Sequence, residues 1–86
     1  MTEPFDPGRL VRLAREQHPD RPDLAAALAR CTDGTWESRA YLHFEDPSAP
    51  GWIVAETVPL EDRRDSVVVD VLRGGRIGGA EFLRCV

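Results

Sequence analysis

The sequence predicts an α+β fold: two N-terminal helices packed on a four-stranded antiparallel sheet in meander order. Three observations predict it. Apolar residues recur at helical spacing through the first third of the chain, and the period changes to alternation from Trp36 onward. A Gly74-Gly75 pair between two alternating runs marks a tight hairpin. The 86 residues have room for one domain, a helical segment over 1–35 followed by a sheet over 36–86. A chain of this size buries only about 60–65% of its unfolded surface, so partner contacts are expected to supplement its stability.

Asp6-Pro7 reads as a helix start, an N-cap acid followed by proline at the first helical position. Leu10, Val11, Leu13 and Ala14 form one apolar stripe opposed by Arg9, Arg12, Arg15 and Glu16, and Pro19 stops the helix. A second helix begins between Asp20 and Asp23, carries Leu24, Ala27, Leu28 and Cys31 on its apolar edge, and ends at Asp33-Gly34. Ala40, Leu42 and Phe44 then alternate with Arg39, Tyr41 and His43 as the first strand. A loop follows over Glu45-Asp46-Pro47-Ser48-Ala49-Pro50-Gly51. Trp52 to Val58, Ser66 to Leu72 and Ile77 to Arg84 are the remaining strands.

The last hairpin fixes a register. With Gly74-Gly75 as a two-residue turn, Leu72 faces Ile77, Asp70 faces Gly79 and Val68 faces Glu81. Val67, Val69, Val71, Ala80 and Phe82 then share a wholly apolar face, which should receive the helices. The second face carries Val68, Asp70, Leu72, Ile77, Glu81 and Leu83. It is too apolar to be fully solvated, and either a second protein surface covers it or it lines a pocket. Burial in a homodimer is the plainer expectation.

Composition narrows the function classes. The net charge is −4, which argues against generic nucleic-acid binding and suits a basic protein partner or simple solubility. No run approaches the roughly 20 apolar residues of a membrane span, and the acidic N-terminus lacks the features of a signal peptide, so the expected compartment is the cytoplasm. Cys31 and Cys85 are expected to be free thiols there. All eleven basic residues are arginine, with no lysine or asparagine and only two isoleucines. That usage points to a GC-rich bacterial source.

Tyr41-Leu42-His43-Phe44, Glu56-Thr57, Val67-Val68-Val69-Asp70 and Gly75-Arg76-Ile77-Gly78-Gly79-Ala80-Glu81-Phe82-Leu83 resemble the strand repeats of a bacterial family, domain of unknown function 2283. The resemblance covers roughly residues 40–84. Two positions depart from the family's pattern: Arg73 stands before the turn glycines where an acid is usual, and Ala80 stands before the final acid where isoleucine is usual. The resemblance implies no settled activity, and it implies an antitoxin-like role only as some members look like antitoxins.

Asp70 and Glu81 fall on one face as diagonal neighbours, within about 7–8 Å by strand geometry. Glu56 shares parity with Trp52, Val54 and Val58 and is expected to join them. Clustered carboxylates in a half-apolar setting raise each other's proton affinity, which suits acid–base work; the competing reading pairs them with Arg39, Arg76 or Arg84. His43 lies outward beside Tyr41, as a general base or as an ordinary surface histidine. His18, Cys31, His43 and Cys85 lack ligand spacing, so no metal site is expected, and no cofactor signature occurs. Trp36 and Trp52 read as core or interface anchors.

Two functions follow. The first is a small non-catalytic protein-binding or regulatory module, antitoxin-like or accessory, homodimeric or holding a protein partner through Trp52, Val68, Leu72, Ile77 and Leu83. The alternative is a small cofactor-free isomerase, cyclase or dehydratase acting on a small molecule through Asp70, Glu81, Glu56 and His43.

Overall fold

A computed structural model describes residues 2–63 and 65–84. These form two helices, α1 (Gly8–Gln17) and α2 (Pro22–Ala29), and the strands β1 (Glu3–Pro4), β2 (Asp33–Trp36), β3 (Tyr41–His43), β4 (Val54–Glu61), β5 (Asp65–Leu72) and β6 (Ile77–Arg84). The fold class is α+β, and the strands make one antiparallel six-stranded sheet in the order β1-β2-β3-β6-β5-β4.

That order corrects the expected four-stranded meander. β4, β5 and β6 are joined by hairpins, but β3 pairs with β6 and not with β4, which is the arrangement of a Greek key. The turn-rich loop after Phe44 therefore does not close a hairpin. It crosses the end of the β5–β6 hairpin, where Arg73 N–H bonds the Ile53 carbonyl at 2.9 Å and Phe44 N–H bonds the Gly78 carbonyl at 2.9 Å. β1 and β2 were not expected. Both are short and gain their pairing from tertiary contacts, Glu3 opposite Gly34 and Thr35 opposite His43.

α1 begins one residue later than the proline rule places it: Asp6 Oδ1 accepts the Gly8 N–H at 2.9 Å, and the helix runs from Gly8. Its stripe buries Leu10, Leu13 and Ala14. α2 is shorter than expected, because the chain tightens after Ala29 into i→i+3 bonds from Arg30 and Cys31 before entering β2. It buries Leu24, Ala25 and Leu28.

Both helices lie on the sheet face carrying Val58, Leu60, Val67, Val69, Val71, Ile77 and Ala80, and these side chains form one core with the helical leucines. Each fully buried Leu or Val there contributes about 1.5–3 kcal/mol over an exposed position. Phe5, Phe44 and Phe82 extend that core past the ends of the helices, with Phe5 and Phe44 ring centroids 5.3 Å apart. Arg9 binds Asp62 at 2.9 Å and also Asp65, while Gln17 exchanges two hydrogen bonds with the Glu61 backbone. These contacts dock α1 along β4 and the β4–β5 turn.

The face expected to receive the helices, Val67, Val69, Val71, Ala80 and Phe82, does so. In the last hairpin Asp70 pairs with Gly79 and Val68 with Glu81, as the register predicts, but Ile77 faces Val71 and not Leu72. The turn-closing bond runs from Gly75 N–H to the Leu72 carbonyl at 3.0 Å, so the turn centres on Arg73-Gly74. Gly74 and Gly75 hold φ of 92° and 88°, where a side chain would be strained. The one-residue difference is absorbed by a bulge between Asp70/Gly79 and Val71/Ile77. Ile77 is thereby turned into the helix-side core, at 4% exposure.

Candidate functional site on the open sheet face

The sheet face away from the helices is read from the register as rows across the strands. One row is Thr35, His43, Gly79, Asp70 and Thr57; the next is Tyr41, Glu81, Val68 and Pro59; a third is Leu83, Ser66 and Glu61. No helix covers these rows. Val68 is half-buried, Pro59 is exposed, and Leu83 is 43% exposed.

Tyr41 and Asp70 sit in neighbouring rows, and the absent side chain of Gly79 lets them meet. A Cβ on Gly79 would lie 2.5 Å from the Tyr41 hydroxyl and 2.8 Å from the Leu42 carbonyl. Through that gap the Tyr41 hydroxyl donates to Asp70 Oδ2. Burial first, and the Asp70 acceptor second, hold the phenol well above its usual range, so Tyr41 acts as a donor and not as a base.

The His43 ring packs on Tyr41 with centroids 4.6 Å apart and on Trp52 at 5.9 Å, edge-on. Its Nε2 lies 3.1 Å from Glu37 Oε1. His43 Nδ1 and Trp52 Nε1 are buried without a hydrogen-bond partner among the described residues. Trp52 also closes over Gly78, and Leu72 packs there at 1% exposure. A cleft of about 450 Å³ adjoins this cluster between β2 and the segment after β3, with Thr35, Glu37, His43, Glu45 and Asp46 in its walls.

Asp70, Glu81 and His43 are thus on one face, with Glu81 directly opposite Tyr41. Glu56 is not with them. It alternates in step with Val58 and Leu60, which pair with Val69 and Val67 in the core, so it stands opposite Val71 on the helix side. There Arg21 grips it with two hydrogen bonds, at 3.0 and 2.9 Å, and holds its carboxyl below the usual range. Of the expected partner-binding residues, Val68 and Leu83 reach the open surface, Trp52 is half-buried at its end, Leu72 is buried, and Ile77 belongs to the opposite face. Tyr41 and Glu37 are the members that sequence reasoning passed over. The parity of Tyr41 with His43 pointed to one, but its reach to Asp70 needs the β3–β6 pairing.

The thiol candidates do not converge on this cluster. Cys31 is buried in the helix-side core, and burial, with a smaller contribution from Glu45, pushes its thiol up to about 12. His18 lies against the Pro59 carbonyl at 3.3 Å, and Cys85 and the side chain of Arg84 are outside the described residues. Among the described residues no group of three or more His, Cys, Asp and Glu side chains could hold a metal ion, and no helix is long and apolar enough to cross a membrane. No protein-family model matches the chain, and neither a curated protein nor a solved structure matches it.

Proposed function

We propose that the protein is a small non-catalytic binding module that docks a protein partner on the open sheet face. The observation that carries this reading is the group of Val68, Pro59 and Leu83 in two adjoining rows, apolar side chains left without a covering layer on a sheet whose other face packs on the helices. The sheet edges are poorer docking sites. β1 has two residues, and β4 carries Pro59, which cannot donate to an added strand. An antitoxin-like or accessory role, the implication of the family resemblance, is one form such a module takes.

An acid–base enzyme has less behind it. Glu56 is neutralised by Arg21, and Asp70 is engaged by Tyr41. Of these carboxylates Glu81 is left exposed, and among the described residues no second proton carrier is in hydrogen-bond contact with it.

The test is affinity capture from the host lysate with three baits: the native chain, the double variant Val68→Arg, Leu83→Arg, and Ala26→Arg on the exposed side of α2. A protein retained by the native chain and Ala26→Arg but lost from the double variant is the expected result. Equal retention by all three baits would show that the open face is not the docking surface.

A further inference from the structure

The geometry points to a cationic partner segment, rich in arginine or lysine with apolar residues between, as the occupant of the open face and its adjoining cleft. This rests on the docking reading above and adds the chemistry of what docks.

The strand positions of the open face carry acids. Of the eleven arginines, Arg9, Arg12, Arg15, Arg21 and Arg30 belong to the helical layer or its connections, where Arg9, Arg12 and Arg21 are paired with acids, and Arg39, Arg63, Arg73 and Arg76 lie in the connections between strands. Among the described residues, the open-facing strand positions carry Glu61, Asp70 and Glu81 and no arginine. Glu81, in the middle of the sheet beside Val68 and Tyr41, is exposed and makes no ion pair among the described residues. The adjoining cleft adds Glu37, Glu45 and Asp46, of which Glu45 is paired with Arg76 at 2.9 Å and Glu37 lies 3.1 Å from His43.

Aromatic faces accompany the carboxylates. Tyr41, His43 and Trp52 pack in sequence along the edge of this surface. Guanidinium and ammonium groups favour such a setting, since the ring faces attract cations and the carboxylates pair with them. Val68, Pro59 and Leu83 supply apolar contact between the charged positions. A second copy of the chain fits less well. A twofold axis through this face would bring Glu81 and Asp70 against their own copies, and like charges in apposition oppose association.

The test uses a twelve-residue peptide alternating arginine and leucine, with a glutamate–leucine peptide of the same length as control, both followed by titration calorimetry. The expected result is saturable one-to-one binding of the arginine peptide alone. Glu81→Gln should weaken it about threefold to fivefold, the range of a single partly exposed ion pair, and Glu81→Arg should weaken it further. Glu16→Gln on α1 should leave it unchanged. Absence of saturable binding, or equal loss with Glu16→Gln and Glu81→Gln, would overturn the cationic assignment. So would sedimentation showing a dimer that the Val68→Arg, Leu83→Arg variant dissolves.

Failure here is separable from failure of the docking reading. A partner captured through the open face whose retention is indifferent to Glu81→Arg and to 0.5 M salt would leave the docking surface in place and remove its cationic occupant. A capture insensitive to the open-face double variant removes both.

Discussion

Gly79→Ala is the substitution whose sign the structure decides most sharply. Replacing glycine by alanine where the backbone conformation allows it stabilises a protein by about 0.4–1 kcal/mol, through the unfolded chain. Gly79 is not among the positive-φ glycines, so backbone strain does not oppose the change. Space does. The new Cβ would lie 2.5 Å from the Tyr41 hydroxyl, 2.6 Å from Tyr41 Cε1 and 2.8 Å from the Leu42 carbonyl oxygen. The ring can swing away, but only by leaving Asp70, and the carbonyl is backbone held by the β3–β6 pairing.

Overpacking of this kind costs about 1–3 kcal/mol. Losing a hydrogen bond to a partly exposed carboxylate adds about 1 kcal/mol. After the gain from the unfolded chain is subtracted, the net cost is about 1–3.5 kcal/mol, and Tm should fall by about 5–25 °C in a domain of this size. Urea melts give the free energy. Repeating Gly79→Ala in a Tyr41→Ala background removes the ring clash and leaves only the carbonyl contact, so the cost there should drop by about 1 kcal/mol or more. In a Tyr41→Phe background it should not drop, because Cε1 remains. A neutral or stabilising Gly79→Ala, or a cost unchanged by Tyr41→Ala, would refute the placement of Tyr41 over Gly79.

Leu60→Ala, at a core position with 0% exposure, should cost about 2–5 kcal/mol in urea unfolding, whereas Val54→Ala on the exposed start of β4 should cost well under half of that. The Glu56–Arg21 pair sets a pH dependence. A carboxyl with a lowered folded value contributes stability that is fully present above its unfolded value, about 4.3, and is lost as pH falls through the folded one. The stability difference between the native chain and Glu56→Gln should therefore be flat from neutral pH to about 5 and close below that. Cys31 should resist alkylation by iodoacetamide at pH 8 in the folded protein and react on addition of denaturant, as peptide mass spectrometry would show.

What could be read from the sequence was local. The stripe of Leu10, Leu13 and Ala14 repeats within one helix, and Val67, Val69 and Val71 alternate within one strand, so their common face follows from spacing alone. The Asp70–Gly79 and Val68–Glu81 pairs follow from a short hairpin. The β3–β6 pairing joins residues some forty positions apart, and no turn chemistry announces it. That pairing brings Tyr41 to Asp70, so the centre of the candidate site was hidden although each residue lay on a recognisable strand. Ile77 was misplaced by a bulge, which reverses the side chain's direction with one extra residue. Glu56 was misplaced by the side of the sheet that its strand face was expected to take, since it keeps step with Val58, which pairs with Val69 in the core.

The claim that the open sheet face is the docking surface is tested most directly by amide chemical-shift mapping, with the isotope-labelled chain titrated by the protein it retains from its host. The account predicts that the largest shifts fall on Tyr41, Val68, Glu81 and Leu83, with α1 and α2 nearly unchanged. Shifts concentrated on the exposed residues of α1 and α2, with β5 and β6 unmoved, would contradict it.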